Sequence, residues 1–314
     1  MSPLQSPVST GSLSSDQSPV TFAGNGEYFV SGGTKGVRVW RIEDGQLVAT
    51  MAVEHVRCVA FSKDGKWIAA GTFWGDVMVW DATKIPRQTF MTWKIEDVIR
   101  GLDFSPDATR LVALGDRTAT IWNLVTRERL VRPLLRDNRV WAAKYSPHGD
   151  RIATATENSI RVYDSNDVSH RLKDIPIQIA TCQYNSGLVW STDHCLFVLS
   201  SGEIKKIDTS TDSVSEWSLP DSDKFSCIVM PKHGDFIACS ANRTVTFLDT
   251  STQNQLGFFH HSQEIYSIAL SPDGRFLAIG EDKERITIKR LSCINVSLTL
   301  SHWVMAPLNN PICT

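Results

Sequence analysis

An all-β fold built from seven similar units follows from three observations on this 314-residue chain. An apolar, β-rich run, a short polar turn and a second apolar run recur along most of the sequence. The copies are spaced 39–45 residues apart. No segment carries the helical periodicity needed to cover a parallel sheet. Four short antiparallel strands per unit cannot bury both faces alone. Radial stacking of the sheets as the four-stranded antiparallel blades of a seven-bladed β-propeller buries both and leaves short edges.

The clearest copies of the phrase are Phe61-Ser62-Lys63-Asp64-Gly65, Phe104-Ser105-Pro106-Asp107, Tyr145-Ser146-Pro147-His148-Gly149 and Leu270-Ser271-Pro272-Asp273-Gly274. Weaker copies start at Phe22 and Met230, and a seventh, the most degraded, at Trp190. In these turns Pro presets φ, Asp bonds back to the backbone and Gly accepts a positive φ. The flanking runs alternate as strands do: Val59 and Phe61 share a face, and Trp67, Ala69 and Gly71 follow on the next strand. A third strand ends 17–19 positions after each anchor, at Trp40, Trp80, Trp122, Tyr163, Ile207, Leu248 and Lys289. A less regular fourth strand closes each unit, as in Gln46–Met51, Gln255–Phe259 and Val296–Leu300. The blades therefore span about 20–51, 56–90, 98–135, 139–177, 181–220, 225–260 and 264–300, between a Ser/Pro-rich tail at 1–19 and a C-terminal tail at 301–314.

The run from Val56 to Ala69, with Val79-Trp80-Asp81, closely resembles a WD40 repeat, as does Ile265 to Ala278 in its first half. The likeness spans residues 20–300, and the spacing is similar to that of WD40 blades. The resemblance implies a rigid disc that gathers partners on its faces, usually without catalysis; it does not specify the partner. Trp-Asp is intact only at Trp80-Asp81. The family's buried hydrogen-bond tetrad is broken everywhere. His261 matches its His, but Lys289 replaces the Trp; Asp116 matches its Asp, but Ile95 replaces the His. Stability is therefore expected from apolar packing between blades. The N-terminal residues are poor strand material, so ring closure is expected by packing of blade one on blade seven.

A formal charge of −2 gives no reason to expect nucleic acid or an anionic membrane as partner. Seven cysteines without C-x-x-C spacing, most in apolar runs, read as buried free thiols in a reducing compartment. No secretory signal and no apolar run of about 18 residues stands out, so the expected location is intracellular.

The implied docking face is the rim that carries the loops into each first strand and between the second and third. Four residues before each anchor stand Ser18, Arg57, Arg100, Trp141, Ser186, Ser226 and Tyr266. Arg, Trp and Tyr are types enriched at hot spots. The turn of blade two adds Phe73 and Trp74, the latter standing where the family usually has its structural Asp. The candidate partner-binding residues are thus Arg57, Phe73, Trp74, Arg100, Trp141 and Tyr266. The competing reading has the aromatics folded into core and Arg57 and Arg100 paired with Asp103, Glu96 or Asp97. Arg57, Arg100, Lys35 and Arg117 suit a partner with acidic or phosphorylated groups, although Glu54, Glu96, Asp97 and Asp116 share those loops.

No G-x-S-x-G, H-E-x-x-H, P-loop or dinucleotide fingerprint occurs. His260-His261 are adjacent on a strand and make a poor two-ligand site. The sequence therefore predicts no catalytic residues, no metal and no cofactor. It predicts a monomeric scaffold for a protein or peptide. The alternatives are a sensor or regulatory module of a larger signalling protein, or a quinoprotein-like or hydrolase propeller enzyme.

Overall fold

A computed structural model of the chain describes residues 19–84, 89–116, 118–130, 140–156, 158–167, 171–176, 187–200, 203–218, 225–281, 284–291 and 306–307. The first sheet holds β1 (Val20–Phe22), β2 (Tyr28–Gly33), β3 (Gly36–Arg41) and β4 (Leu47–Met51); the second holds β5 (Val56–Phe61), β6 (Trp67–Thr72), β7 (Asp76–Asp81) and β8 (Thr89–Lys94). Next come β9 (Gly101–Phe104), β10 (Arg110–Leu114) and β11 (Ala119–Asn123), then β12 (Val140–Tyr145), β13 (Arg151–Thr156), β14 (Ser159–Asp164) and β15 (Arg171–Pro176). The fifth sheet is β16 (Leu188–Trp190), β17 (Cys195–Ser200), β18 (Glu203–Asp208) and β19 (Val214–Ser218); the sixth is β20 (Phe225–Val229), β21 (Phe236–Ala241), β22 (Thr244–Asp249) and β23 (Gln255–His260). The seventh is β24 (Ile265–Leu270), β25 (Phe276–Glu281), β26 (Ile286–Arg290) and β27 (Ala306–Pro307).

Strand order follows the chain in every sheet. The inner strands β1, β5, β9, β12, β16, β20 and β24 pack one on the next around an axis, and β24 returns to β1. The molecule is a seven-bladed β-propeller. Every third strand ends one residue past the position read from the sequence, from Arg41 to Arg290. Among the described residues the third sheet has three strands, with an isolated bridge Trp122–Arg129 in the fourth position. In the seventh sheet the strand paired with β26 is β27, from within the stretch expected to be a tail; 296–300 lies outside the described residues.

The apolar core is divided into seven clusters, and each lies between two neighbouring blades rather than inside one. Second strands are consequently buried on both faces: all six residues of β6 are buried, and five of six in β2, β13 and β25. Small residues let the sheets approach. A Cβ on Gly71 would stand 2.2 Å from Ile99 Cγ2 and 2.7 Å from Cys58 Sγ. Burial pushes the Cys58 thiol up to about 12, which leaves it an inert core group. Cys58, Cys195, Cys227 and Cys239 are free thiols, all buried.

Two polar devices shape the turns. In the Ser-x-Asp phrase the Ser62 hydroxyl accepts from Trp67 N–H at 2.8 Å and donates to Asp64 at 2.5 Å, while Asp64 accepts from Lys66 N–H. Ser105–Asp107 and Ser271–Asp273 repeat the pattern. At the end of the third strand an Asp or Asn accepts backbone N–H groups two and three residues on, as Asp249 does from Ser251 and Thr252. Asn123, Asp164 and Asp208 do the same. This explains why the acidic half of the Trp-Asp pair outlasts the tryptophan: it is an Asx turn that needs no neighbour.

Ring closure has its own seam, where Val20, Phe22 and Phe29 meet Ala269 and Ala278. A polar latch spans it. The Glu284 carboxylate accepts from Thr34 N–H at 2.5 Å, from the Thr34 hydroxyl and from Lys35 N–H at 3.1 Å, and pairs with Arg38 Nη2 at 3.2 Å. Burial acts to raise the Glu284 carboxyl and is outweighed by these partners, so its pKa is lowered.

Replacing Glu284 by Ala strips the acceptor from two backbone N–H groups and should lower stability by about 1.5–3 kcal/mol. Urea unfolding measures it, and an unchanged midpoint would show that the latch contributes nothing. Acid should weaken the fold in the same way. The Ser251 hydroxyl and the backbone beside Asp249 hold its carboxyl down at about 2, against an ordinary 3.8, and Glu284 is also depressed. The unfolded chain then binds more protons than the folded one below neutrality, so this stability is complete above about pH 5 and drains away as pH falls through 4 toward 2. Thermal melts across that range should show a falling Tm; a flat profile would contradict the assignment.

Candidate binding face

The turn between β6 and β7 presents the most exposed large aromatic side chain among the described residues: Trp74 is 57% exposed. Its backbone is tightly fixed. Thr72 O accepts from Gly75 N–H at 3.3 Å and from Ile99 N–H at 3.1 Å, and the Thr72 hydroxyl accepts from Asp76 N–H at 2.9 Å. Gly75 has φ +88°, and a Cβ there would fall 2.0 Å from Ile95 O, so glycine is required. The 95–97 loop thus lies directly on the turn. On the other side Phe73 N–H donates to His55 O at 2.9 Å.

Three rings gather there. Trp74 meets Phe73 edge-to-face at 5.1 Å and 89°, and His55 edge-to-face at 5.9 Å and 87°. Arg57, from β5, lays its guanidinium 5.3 Å from the Phe73 ring centre. Arg57, Phe73 and Trp74 therefore form one patch, completed by His55, which the sequence did not single out. Its spacing from Val56 gives no hint of a role; its φ of 55°, uncommon for a side-chain-bearing residue, turns it toward Trp74.

The other candidates lie apart from this patch. Arg100 pairs with Asp116, not with the carboxylates expected from its loop. Asp116 N–H in turn donates to Asp97 Oδ2 at 2.5 Å, and Asp103 pairs with Lys144 at 3.3 Å. Trp141 is 7% exposed, packed as core at the head of β12. Tyr266 is half-buried, its hydroxyl 3.5 Å from Glu264 Oε2. Lys35 is exposed, its backbone held by Glu284. Ser18, Ser186 and Arg117 lie outside the described residues.

Blade seven answers the broken tetrad with charge. Beneath the rim His261 Nε2 lies 2.9 Å from Glu281 Oε1, which also accepts from the Thr287 hydroxyl at 2.5 Å. Lys289, in the tryptophan position, is buried with its ammonium 3.7 Å from the Phe259 ring centre. Burial lowers the Lys289 pKa, and Glu281 opposes that shift. Glu281 was not anticipated, because its partners His261, Arg285 and Thr287 come from separate segments that meet only once blade seven is folded.

Four stretches, 45–81, 87–123, 133–164 and 253–284, match the family model described as WD domain, G-beta repeat. The first begins at β4 and ends with β7, so the sequence repeat straddles two sheets, from the outer strand of one blade to the third strand of the next. The chain carries WD40 repeats. Among curated relatives, this WD40 propeller is similar to cilia- and flagella-associated protein 52 of Bos taurus, 27% identical over 74% of this chain and 40% of that protein. It is also similar to transcriptional corepressor LEUNIG_HOMOLOG of Arabidopsis thaliana, 24% identical over 58% of this chain and 24% of that one. The WD40 chain thus spans well under half the length of these relatives. Among solved structures, the beta-propeller domain of Cps50 (Swd1) from Myceliophteria thermophila matches with a TM-score of 0.76 at 15% identity, covering 88% of this chain and 96% of that one. Hydrazine synthase of Kuenenia stuttgartiensis matches with the same TM-score at 16% identity, covering 93% and 99%. At such identities these structures speak for the fold alone.

The two tryptophans should behave oppositely on truncation. Trp141→Ala empties a core site and should cost about 3–5 kcal/mol, whereas Trp74→Ala should stay within about 0.5 kcal/mol. Urea unfolding of the two variants checks this; equal losses would contradict the assigned burial.

Proposed function

We propose that the chain is a non-catalytic protein-interaction scaffold, and that the rim of blade two around Trp74 is where a protein or peptide partner docks. The observation that carries this reading is an indole 57% in solvent on a turn whose backbone is fixed on both sides. Exposing a large aromatic ring costs hydration free energy, and a rigid platform lets a partner recover it with little ordering entropy. WD40 repeats support the scaffold reading in general, as does the corepressor named among the relatives. Arg57 and Phe73 belong to the contact surface. Arg100, already paired, and Trp141, already buried, are not part of it. Tyr266 lies on the same rim at blade seven and extends the surface for a longer partner. Four buried free thiols favour an intracellular setting.

Affinity capture from native extract with wild type and Trp74→Ala, each shown folded by thermal melting, tests the reading. Proteins retained by the wild type should be lost, or weakened at least tenfold, in the variant. An identical set retained by both would place the docking surface elsewhere.

A further inference from the structure

The charges around Trp74 specify the partner more closely, if the docking reading above holds. Among the described residues, five aromatic rings carry a cation of the chain's own: Arg57 on Phe73, Lys66 on Trp67, Arg127 on Phe90, Lys206 on Phe197 and Lys289 on Phe259, at 3.7–5.6 Å from the ring centres. Trp74 is the most exposed large ring among the described residues, and none of these cations lies over it. Indole is also the ring that attracts cations most strongly.

The fixed charges beside it have the matching sign. The two segments that clasp the turn carry exposed carboxylates, Glu54 next to His55 and Glu96 between Ile95 and Asp97. Neither enters a hydrogen bond or ion pair among the described residues. The nearby bases are engaged: Lys94 with Asp76 at 2.9 Å, Arg100 with Asp116, and Arg57 over Phe73. An anionic group approaching Trp74 would meet two exposed carboxylates, and the His55 imidazole would be the one base of these loops not engaged by a carboxylate or a cation–π contact. A cation would meet an exposed indole whose turn is clasped by two segments that each carry an exposed carboxylate.

We propose that the Trp74 platform receives an arginine or lysine side chain from a basic segment of the partner protein, with the cation stacked on the indole and neutralised by Glu54 and Glu96. The acidic or phosphorylated partner suggested by the sequence is disfavoured at this platform, because Arg57 lies over Phe73 and Arg100 is paired with Asp116.

The test uses three labelled twelve-residue peptides of alternating glycine with arginine, serine or aspartate, titrated against the full chain by fluorescence anisotropy. The arginine peptide should bind at least tenfold tighter than the other two, and should weaken as salt shortens the screening length. Trp74→Ala and Trp74→Leu should each lose about tenfold, while Trp74→Phe keeps most of the affinity. Leucine supplies apolar area without a π face, so wild-type affinity in Trp74→Leu would overturn the proposal. Glu54→Lys with Glu96→Lys should abolish the arginine preference. An aspartate preference that disappears in Trp74→Ala would overturn the charge assignment while leaving the docking face intact. Equal binding of all three peptides, or binding indifferent to Trp74, would also overturn it, and the capture experiment would still judge the face itself.

Discussion

Every blade in this molecule depends on both of its neighbours. The apolar side chains of one sheet are buried only by the next, so the seven cores are seams between sheets. A single blade taken out would expose both faces of a strand such as β6, whose residues are all buried. An open stack of such units would have two unprotected ends, from which it could fray one unit at a time. Closing the ring removes the ends. That is why the seam between the first and last blades matters more than its area suggests, and why it is reinforced by the Glu284 carboxylate reaching across to Thr34, Lys35 and Arg38.

Where the usual buried hydrogen-bond set is missing, this chain uses other physics at the same places. Trp40 keeps part of the pattern, its indole N–H donating to Ser31 Oγ at 3.0 Å. Trp122 stacks on Trp93 at 4.4 Å instead. In blade seven the buried Glu281 gathers His261 and Thr287, and Lys289 sits against an aromatic ring. Burying such charges is tolerable only because each has a partner, and removing one partner would leave the other stranded. The proposed docking platform inherits its stiffness from these seams: Ile99, whose N–H helps hold the Trp74 turn, is also core between blades two and three.

Much of the architecture could be read from the sequence because it is local and repeated. A Ser-x-Asp turn and an Asx turn after the third strand are each completed within about five residues, so they recur as visible phrases even where the tryptophan is lost. The candidate face was only partly legible for the opposite reason. An offset of four residues from each anchor gives a radial position but does not say which side chain folds inward; Trp141 and Arg57 share that offset, and one is core while the other lies in the exposed patch. The partners of Arg100 and Glu284 depend on how loops and blades meet in space. Thr34 and Glu284 are 250 residues apart in the chain, and no local pattern announces their meeting.

If the seams and their closure hold the ring as one body, no blade can open without exposing its neighbours. Native-state hydrogen exchange on the amides of the second strands β2, β6, β10, β13, β17, β21 and β25 measures this directly. All seven should exchange through a single opening whose free energy and urea dependence equal those of global unfolding. Protection that steps down blade by blade, with one sheet opening at low free energy while the rest stay closed, would contradict the account.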